Sequence, residues 1–384
     1  MKNLIIILIS GFLWFSAFHL QQKGNRNYFK NEFHFEKISR IEPRLVQFED
    51  TVPNDTIYIC FTTNIFPNAY FREIFTPVCI DGLCLPISVN LFWSPGGDYL
   101  GYSIKGNGIF TKLNHIPFDE DDYLRLHYLL DDPQSLLKDY KLTELVSGNK
   151  DSLKVDGISG ATITAVENYV IKGAVYTTYG LWHSVYGPSY DSIRKITMEY
   201  LSIPLLNSLI NSPNIEDNFY ALDILNKFEP KVTIQLIPKL EEFIESDNLS
   251  LKERSINVLI SSEISDSLIQ ETLLKVFKIT DFWTKKILLT KLYDYDYLLP
   301  DVEVKLTSNL SRESPSIIQE IYKLLKKRTD ISLTSKMKIA DLLENDNQFI
   351  AKITYNFLSS LDINEKVILD KMHSYTIKVG ENKK

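Results

Sequence analysis

The sequence predicts an α+β domain, with an antiparallel sheet and helices, followed by an all-α solenoid. Two observations support this fold class. In the first half of the chain, short segments rich in β-branched and aromatic residues alternate with turn residues, which is typical of antiparallel sheets. Beyond Gly187-Pro188, glycine and tryptophan nearly disappear, and helical apolar segments recur about every 31–34 residues.

The composition is that of a folded protein with more than one domain. The chain has 384 residues, of which 44% are hydrophobic and 24% are charged, with 21 tyrosines and 21 phenylalanines. The formal net charge of −7 argues against nucleic-acid binding, because phosphate recognition requires a basic surface. We find no arginine and lysine cluster in the sequence that reverses this conclusion.

Residues 1–20 have the features of a targeting segment. Lys2 precedes an apolar run from Leu4 to Leu20, whose length lies between that of a signal-peptide core and that of a short membrane span. A cleaved signal and an uncleaved membrane anchor both stay open, since cleavage after Ala17 would place the bulky Phe15 at the −3 position. A buried strand is a less favoured alternative. In both favoured cases the rest of the chain is extracytoplasmic, in the periplasm or cell envelope.

Residues 21–55 are polar and mixed, and they are predicted to form a linker with a first short element. Strands are then expected at Ile57–Phe61, Ile87–Trp93 and Tyr99–Ile104. The last two are separated by the turn residues Ser94–Asp98 and therefore predict a β-hairpin.

Three cysteines lie in this strand-rich region. Cys79 and Cys84 flank a short turn that contains Asp81-Gly82, and in an oxidising compartment they suit a disulfide. Cys60 is then a buried free thiol or the partner of one of the other two. A redox-active pair and a metal site are less favoured, the latter because further cysteine or histidine ligands are lacking.

A helix is predicted after Pro117. The acidic run 119–122 occupies its first turn, where the helix dipole favours negative charge, and indicates capping and solvated surface rather than a metal or catalytic cluster. Its apolar side consists of Tyr123, Leu126, His127, Leu129 and Leu130. Asp131-Asp132-Pro133 ends this helix, and a short helix is expected near Ser135–Tyr140.

The stretch Val155–Val170 combines a turn rich in glycine and hydroxyl residues with the start of a helix. Gly157 and Gly160 permit positive φ and close backbone approach. Exposed backbone N–H groups and the helix dipole make such a start a natural site for phosphate. The alternative is an ordinary N-capped helix in which Ser159 or Thr162 is the cap.

This stretch contains Asp156-x-x-Ser159-Gly160-Ala161-Thr162-x-Thr164, which resembles the flavinylation signature D-x-x-[ST]-G-A-[ST]-x-T of the covalent FMN-binding domain family. That family includes the flavinylated subunits of the Rnf and sodium-pumping NADH:quinone reductase complexes. The resemblance implies that a dedicated flavin transferase, using FAD and Mg²⁺, joins the FMN phosphate to Thr164 by a phosphoester. Every fixed position of the signature is present.

The resemblance also implies roles for the other signature residues. Asp156 would serve transferase recognition or Mg²⁺ binding, or else cap the turn. Ser159 and Thr162 would hold phosphate oxygens or the turn, and Gly160 and Ala161 would leave room for the phosphate. The chain departs from the electron-transport subunits in lacking their glycine-rich E-T-P-G-x-G loop; Gly106-Asn107-Gly108 and His115-Ile116-Pro117 stand in its usual place. The FMN-binding-like domain is assigned to residues 56–188, as in related exported bacterial proteins.

The helix is expected to continue from Thr164 to Trp182 and His183. An aromatic stripe recurs on it at three or four residues: Tyr176, Tyr179, Trp182, His183 and Tyr186. Such a stripe is more often core than a cofactor wall. In the functional interpretation Trp182 lies against the isoalloxazine, and His183 hydrogen-bonds the flavin or relays a proton.

Residues 189–375 are assigned to the solenoid and residues 376–384 to a tail. One helical series contains segments beginning at Ala221, Ser255, Lys286, Ile317 and Ile350. The second series contains segments beginning at Ile237, Ile269, Val302, Met337 and Val367. Two interleaved series at one period indicate an α-solenoid and resemble HEAT-like repeats, although the period is short for HEAT. An irregular helical bundle is the alternative.

The sequence therefore favours an exported, covalently flavinylated electron-transfer protein that is a redox carrier rather than an independent enzyme, since no catalytic acid or base stands out. A flavin transferase and unidentified redox partners are implied, with the membrane as a further contact if the N-terminus is uncleaved. One alternative is a non-redox scaffold that binds a protein partner through its helical repeats. The other is a flavin-dependent extracytoplasmic reductase.

Overall fold

The computed structural model describes residues 26–48, 55–63, 65–76, 86–106, 108–145, 166–262, 265–327 and 330–381. The chain divides into two compact units, Met1–Ala221 and Leu222–Lys384. This division lies later in the chain than the change of composition at Gly187-Pro188. The first unit contains an antiparallel sheet with helices and the second is helical, which confirms the predicted α+β region followed by helices.

The first unit is built on one six-stranded antiparallel sheet with the strand order β1-β6-β5-β4-β3-β2. The strands are β1 (Arg26–Phe29), β2 (Arg40–Leu45), β3 (Thr56–Phe61), β4 (Ala69–Thr76), β5 (Ile87–Trp93) and β6 (Tyr99–Ile104). Strands β2 to β6 follow one another as a meander, and β1 pairs with β6 at the far edge. The predicted β5–β6 hairpin is confirmed, with Leu91 opposite Tyr102.

Residues 26–45, expected to be a linker with a first short element, contribute both edge strands of this sheet. In β1, Tyr28 pairs with Tyr102, and in β2, Ile41 pairs with Cys60. In strand β2 the polar residues Arg40, Glu42 and Arg44 occupy alternate positions, and no residue is fully buried. An edge strand also tolerates Pro43, because one side of its backbone needs no ladder partner. This polar, proline-containing pattern explains why the segment resembles a linker in sequence.

One face of the sheet packs against helices and forms the main core of the unit. Alternate strand residues such as Ile57, Ile59, Tyr70, Trp93 and Tyr102 are buried on this face. Period-two burial is expected for strands that cover a core. The helices of this unit are α1 (Glu120–Leu130), α2 (Leu142–Leu145), α3 (Val175–Val185), α4 (Pro188–Glu199) and α5 (Ile203–Ile210), with α6 (Ile215–Ile224) beginning in it.

The opposite face of the sheet is covered by the connection between β1 and β2. Its core residues are Cys60, Ala69, Phe71, Phe92 and Leu100, with Phe29, Phe33 and Phe35 packed against them. Cys60 is a free, fully buried thiol, and burial raises its pKa. Cys79 and Cys84, assigned to a disulfide from sequence, lie outside the described residues.

Helix α1 begins as the sequence predicts. Asp119 and Asp122 form a reciprocal capping box: the Asp119 carboxylate accepts from the Asp122 N–H at 2.9 Å, and the Asp122 carboxylate accepts from the Asp119 N–H at 3.0 Å. The buried side of the helix contains Tyr123, Leu126, His127 and Leu130. The acidic run is therefore accounted for by helix capping.

The second unit consists of helices in two alternating series. They are α7 (Pro230–Glu245), α8 (Leu249–Ser261), α9 (Asp266–Phe277), α10 (Phe282–Asp294), α11 (Pro300–Ser308), α12 (Pro315–Lys326), α13 (Leu333–Asp341), α14 (Gln348–Leu358) and α15 (Lys366–Glu381). Odd-numbered helices pack on the next odd-numbered helix and even-numbered helices on the next even-numbered one. From residue 237 onward, the two apolar series of the sequence fall on these alternating helices.

A ladder of ion pairs links several helices of this unit to the next-but-one helix or to the turn before it. Its members are 28–34 residues apart: Lys252 with Asp281, Lys275 with Glu241, Lys285 with Glu313, Lys336 with Glu365, and Lys371 with Asp341. Hydrogen bonds from uncharged donors follow the same spacing, as where the Ser332 hydroxyl donates to the Glu303 carboxylate at 2.7 Å. The polar contacts therefore repeat with the period of the apolar segments.

Within the described residues, none of the helices combines the length and the apolar character needed to cross a membrane. The predicted targeting segment over residues 1–20 lies outside the described part of the chain.

Candidate functional site

The residues that resemble the flavinylation signature lie between two described segments, 108–145 and 166–262. Asp156, Ser159, Gly160, Ala161, Thr162 and Thr164 fall outside the described residues. The segments on either side are well anchored: Leu145, at the end of α2, and Val166 are each 3% exposed and belong to the same core. The chain therefore enters and leaves the signature region at the helix-covered core of the first unit.

The segment after the signature does not form the continuous helix expected from sequence. A single 3₁₀ turn covers Glu167–Tyr169, Val170 is extended, and α3 begins only at Val175. Gly173 has φ +79°, a left-handed conformation that interrupts a right-handed helix and that glycine adopts without strain. The Thr178 hydroxyl stabilises the break by accepting from the Ile171 N–H at 3.1 Å and donating to the Ala174 carbonyl at 3.0 Å.

The aromatic stripe on α3 holds the segment that connects α1 to α2. Four residues of the stripe contact backbone carbonyls of residues 130–140 through a side-chain N–H or O–H group. Tyr179 Oη donates to Tyr140 at 3.1 Å, Trp182 Nε1 to Asp132 at 2.9 Å, His183 Nε2 to Leu137 at 3.3 Å, and Tyr186 Oη to Leu130 at 2.9 Å. These bonds satisfy carbonyls that the irregular connection leaves outside secondary structure.

These contacts limit the hydrogen bonds that Trp182 and His183 are able to form with a flavin. The indole has one N–H donor, which Asp132 already uses. A carbonyl only accepts, so His183 carries its proton on Nε2, and burial lowers its pKa, which favours a neutral ring with Nδ1 as an acceptor. The Tyr179 and His183 ring centroids are 4.1 Å apart, so one side of the imidazole is covered. Flavin contact by these two residues stays a prediction.

The loop in the position of the family's glycine-rich segment turns through left-handed backbone. Gly106, Asn114 and His115 have φ of 58°, 60° and 59°, and asparagine and histidine are among the residues that tolerate this region. An isolated bridge between Thr111 and Pro117 closes the loop before α1. The lack of the E-T-P-G-x-G pattern therefore does not prevent a tight turn at this place.

A charged cleft of about 680 Å³ lies beside β1 and the end of α1. The sequence did not predict this cleft. Lys30 Nζ lies 2.8 Å from Asp98 Oδ2 and 2.6 Å from Asp131 Oδ1. The lysine thus ties β1 to the β5–β6 turn and to the end of α1. His127 lines the same cleft, and its Nδ1 lies 3.1 Å from the Oη of the buried Tyr99. Burial lowers the pKa of His127.

Burial and charge oppose each other in this ion triad. Burial, opposed by Lys30 and reinforced by Asp217 and Asp131, raises the pKa of Asp98 to about 6. Burial also disfavours the charge on Lys30, but the two carboxylates outweigh it and raise the pKa of Lys30. The triad therefore changes its charge through Asp98 at mildly acidic pH, while Lys30 stays cationic.

We expect the Asp98→Asn variant to reveal this titration. An aspartate whose pKa is raised by folding binds more protons in the folded than in the unfolded state between pH 4 and 6, so the wild type loses stability as pH rises through that window. The free energy of unfolding of the wild type minus that of the variant should fall by about 2–3 kcal/mol from pH 4 to pH 7. Urea titrations at several pH values measure it.

The contribution of His127 cancels in this comparison because both proteins contain it. A difference that stays constant from pH 4 to pH 7 would contradict the raised pKa.

Sequence reasoning missed this cleft because its residues come from three distant segments. Lys30 lies in the predicted linker, and Asp98 and Asp131 were assigned to a turn and to a helix stop. The available signal was Asp98, an acid that directly follows Gly96-Gly97 in a tight hairpin. Among the described side chains, no group of three or more histidines, cysteines and carboxylates is arranged to hold a metal ion.

Compared with known proteins, the chain matches no protein-family model, and no curated protein is significantly similar to it. Function is therefore inferred from the residues themselves.

Proposed function

We propose that this protein is an exported electron-transfer protein to which FMN is attached covalently through a phosphoester at Thr164. The observation that carries this proposal is the complete signature Asp156-x-x-Ser159-Gly160-Ala161-Thr162-x-Thr164. A single threonine or glycine turn is common, whereas six fixed positions over nine residues are a specific match. The burial of Leu145 and Val166 in one core supports the proposal, since it anchors both flanks of the signature region.

On this chain, the signature provides the groups that the attachment uses. Thr164 Oγ forms the phosphoester as the pyrophosphate bond of FAD breaks and AMP leaves, with a flavin transferase and Mg²⁺ supplying the catalysis. Asp156 assists the metal or the transferase, and Ser159 and Thr162 hydroxyls hold phosphate oxygens. Gly160 and Ala161 keep the approach to the phosphate open. Once bound, FMN supplies the redox chemistry, and the protein determines its exposure and hydrogen bonding.

The contacts of α3 suggest a supporting role for Trp182 and His183 in this function. Their hydrogen bonds to residues 132 and 137 fix the connection between α1 and α2, which leads directly into Leu145. We propose that these two residues hold in place the chain segment that precedes the signature. We also propose that any direct flavin contact of His183 uses Nδ1.

For the second unit we propose an α-solenoid of HEAT-like repeats that binds a protein partner. The alternation of packing between next-but-one helices and the ion-pair ladder at 28–34 residues support this proposal. A solenoid offers a continuous surface because each repeat contacts only its neighbours. A non-redox scaffold is accordingly the second candidate function, with a flavin-dependent reductase as the third.

Redox spectroscopy of the full chain separates these functions. The exported protein, purified from cells that also express a flavin transferase, is expected to show the visible absorption of an oxidised flavin. Dithionite should bleach it, and ferricyanide should restore it. A carrier gives this cycle without steady turnover of NADH, whereas sustained NADH oxidation with an added acceptor would favour the reductase. A colourless protein would reject both and leave the scaffold.

A further inference from the structure

A basic groove lies in the second unit at the C-terminal ends of three successive even-numbered helices. It has a volume of about 470 Å³ and includes Tyr293 of α10, Tyr322, Lys323 and Lys326 of α12 with Lys327 directly after it, and Phe357 of α14. Because the groove belongs to Leu222–Lys384 alone, its chemistry is independent of the flavin proposal.

The three lysines of the groove differ from those of the ion-pair ladder. In the ladder, lysines meet a carboxylate of the next-but-one helix or of the turn before it. Here α14 presents the neutral Asn356 and Ser360 instead. Among the described residues, the one carboxylate within 4 Å of these ammonium groups is that of Glu320, 3.9 Å from Lys323 Nζ. With three lysines and one nearby carboxylate, the groove therefore has an excess of positive charge in a chain of net charge −7.

The lysines are held by the aromatic residue beside them. Lys327 Nζ donates to the Tyr293 carbonyl at 2.8 Å and lies 4.7 Å from the centre of its ring. Lys323 Nζ lies 5.4 Å from the centre of the same ring. Cation–π contact orients an ammonium group without neutralising it. Both charges thus remain available to an anion.

The floor of the groove is apolar and well packed. The rings of Tyr322 and Phe357 stack at 4.4 Å with an interplanar angle of 6°, and Tyr322 Oη lies 2.8 Å from Thr354 Oγ1. The tyrosine hydroxyl is thereby satisfied, so the floor requires no polar partner from a ligand. A preformed apolar floor with cationic walls suits a ligand that has both an apolar side chain and carboxylates.

We propose that this groove binds an acidic segment of a partner protein, with carboxylates against Lys323, Lys326 and Lys327 and one aromatic or aliphatic side chain on Tyr322 and Phe357. Two other classes of anionic partner fit less well. Three lysines would contact few phosphates, which gives weak nucleic-acid binding. A groove of this volume, furthermore, accommodates a side chain rather than presenting the flat apolar face that inserts into a membrane.

The test uses the full chain and a fluorescein-labelled peptide of three Glu-Phe-Glu-Glu repeats, measured by fluorescence anisotropy. The wild type should bind this peptide, and the same peptide with glutamine for glutamate should bind at least about tenfold more weakly. The triple variant Lys323→Glu, Lys326→Glu, Lys327→Glu should lose binding by about tenfold or more. Arginine at the same three positions should retain it.

The matched control changes three exposed lysines of the same unit that do not line the groove: Lys338→Glu, Lys366→Glu and Lys378→Glu. It alters the net charge equally and should change the dissociation constant by less than about twofold. If both triple variants lose peptide affinity equally, binding depends on net charge rather than on the groove, and the proposal is overturned. The proposal would also be overturned if the protein does not bind the peptide but binds phosphatidylserine vesicles or single-stranded DNA through the groove lysines. Circular dichroism confirms that each variant is folded.

Discussion

Replacing Thr164 by valine is expected to abolish covalent flavin completely. Valine has nearly the same volume but lacks the hydroxyl oxygen that forms the phosphoester, so the transferase has no nucleophile at this position. Both proteins are produced in cells that express a flavin transferase. In a denaturing gel the wild type should show flavin fluorescence, and the Thr164→Val variant should show none. The effect is all-or-none because no other group of the proposal replaces that oxygen.

The matched control for this variant is Thr162→Val, which removes a neighbouring hydroxyl of the same signature. It should keep covalent flavin, at reduced yield if Thr162 holds a phosphate oxygen. Circular dichroism and thermal unfolding of both variants should match those of the wild type. Undiminished fluorescence in Thr164→Val would place the attachment elsewhere and reject the assignment of Thr164.

The second large effect is expected at Asp217, which is 4% exposed in the first turn of α6. Its carboxylate accepts from Ser94 Oγ at 2.6 Å, from the Gly96 N–H at 2.7 Å and from Ser212 Oγ at 2.6 Å. Burial, opposed by these bonds, raises the pKa of Asp217. The side chain thus fastens the β5–β6 turn to the start of α6.

Asp217→Ala should lower the free energy of unfolding by about 3–5 kcal/mol, because several donors lose a buried, charged acceptor at once. Chemical denaturation followed by tryptophan fluorescence measures this loss. Asp217→Asn keeps one acceptor and should cost less than alanine. Asp223→Ala, on the same helix but paired at the surface with Arg254, should cost less than about 1 kcal/mol. Equal losses at residues 217 and 223 would contradict the fastening role.

The glycines of this turn show how far a local pattern predicts structure. Ser94–Asp98 predicts a hairpin turn, and the structure confirms it. Gly97 has φ +94°, so its local backbone conformation already favours glycine. Tertiary contacts restrict both positions further: a Cβ on Gly96 would lie 2.6 Å from Asp217 Oδ1, and one on Gly97 would lie 2.6 Å from the Tyr190 ring. Sequence spacing gives the turn, whereas the helices that approach it follow only from the assembled fold.

Elements with a strong period of apolar residues were predictable from the sequence. Elements whose form depends on the residues packed around them were not. Helix α1 was predicted with its capping acids and its buried side, and the two apolar series of the second unit fall on alternating helices. The edge strands β1 and β2 were not recognised, since an edge strand has polar residues and tolerates Pro43. The helix after the signature was overextended because apolar spacing does not reveal that Gly173 is left-handed.

A candidate site can be predicted from sequence only where its residues follow one another closely in the chain. Residues 156–164 give such a prediction, and they lie outside the described residues. The Lys30 triad and the groove at Lys323, Lys326 and Lys327 depend on side chains brought together from separate elements. The lysines do carry a weak signal, a spacing of three and four residues at a helix end, but net charge obscured it. Their lack of compensating carboxylates is a property of the packing and not of the sequence.

The most direct test of the central proposal is the intact mass of the denatured, exported protein produced together with a flavin transferase. A phosphoester forms with the loss of one water, so the mass should exceed that of the polypeptide by FMN less one water. Peptide mapping should place the increase on Thr164. A mass equal to that of the unmodified polypeptide would contradict covalent flavinylation and leave the helical unit as the functional part of this protein.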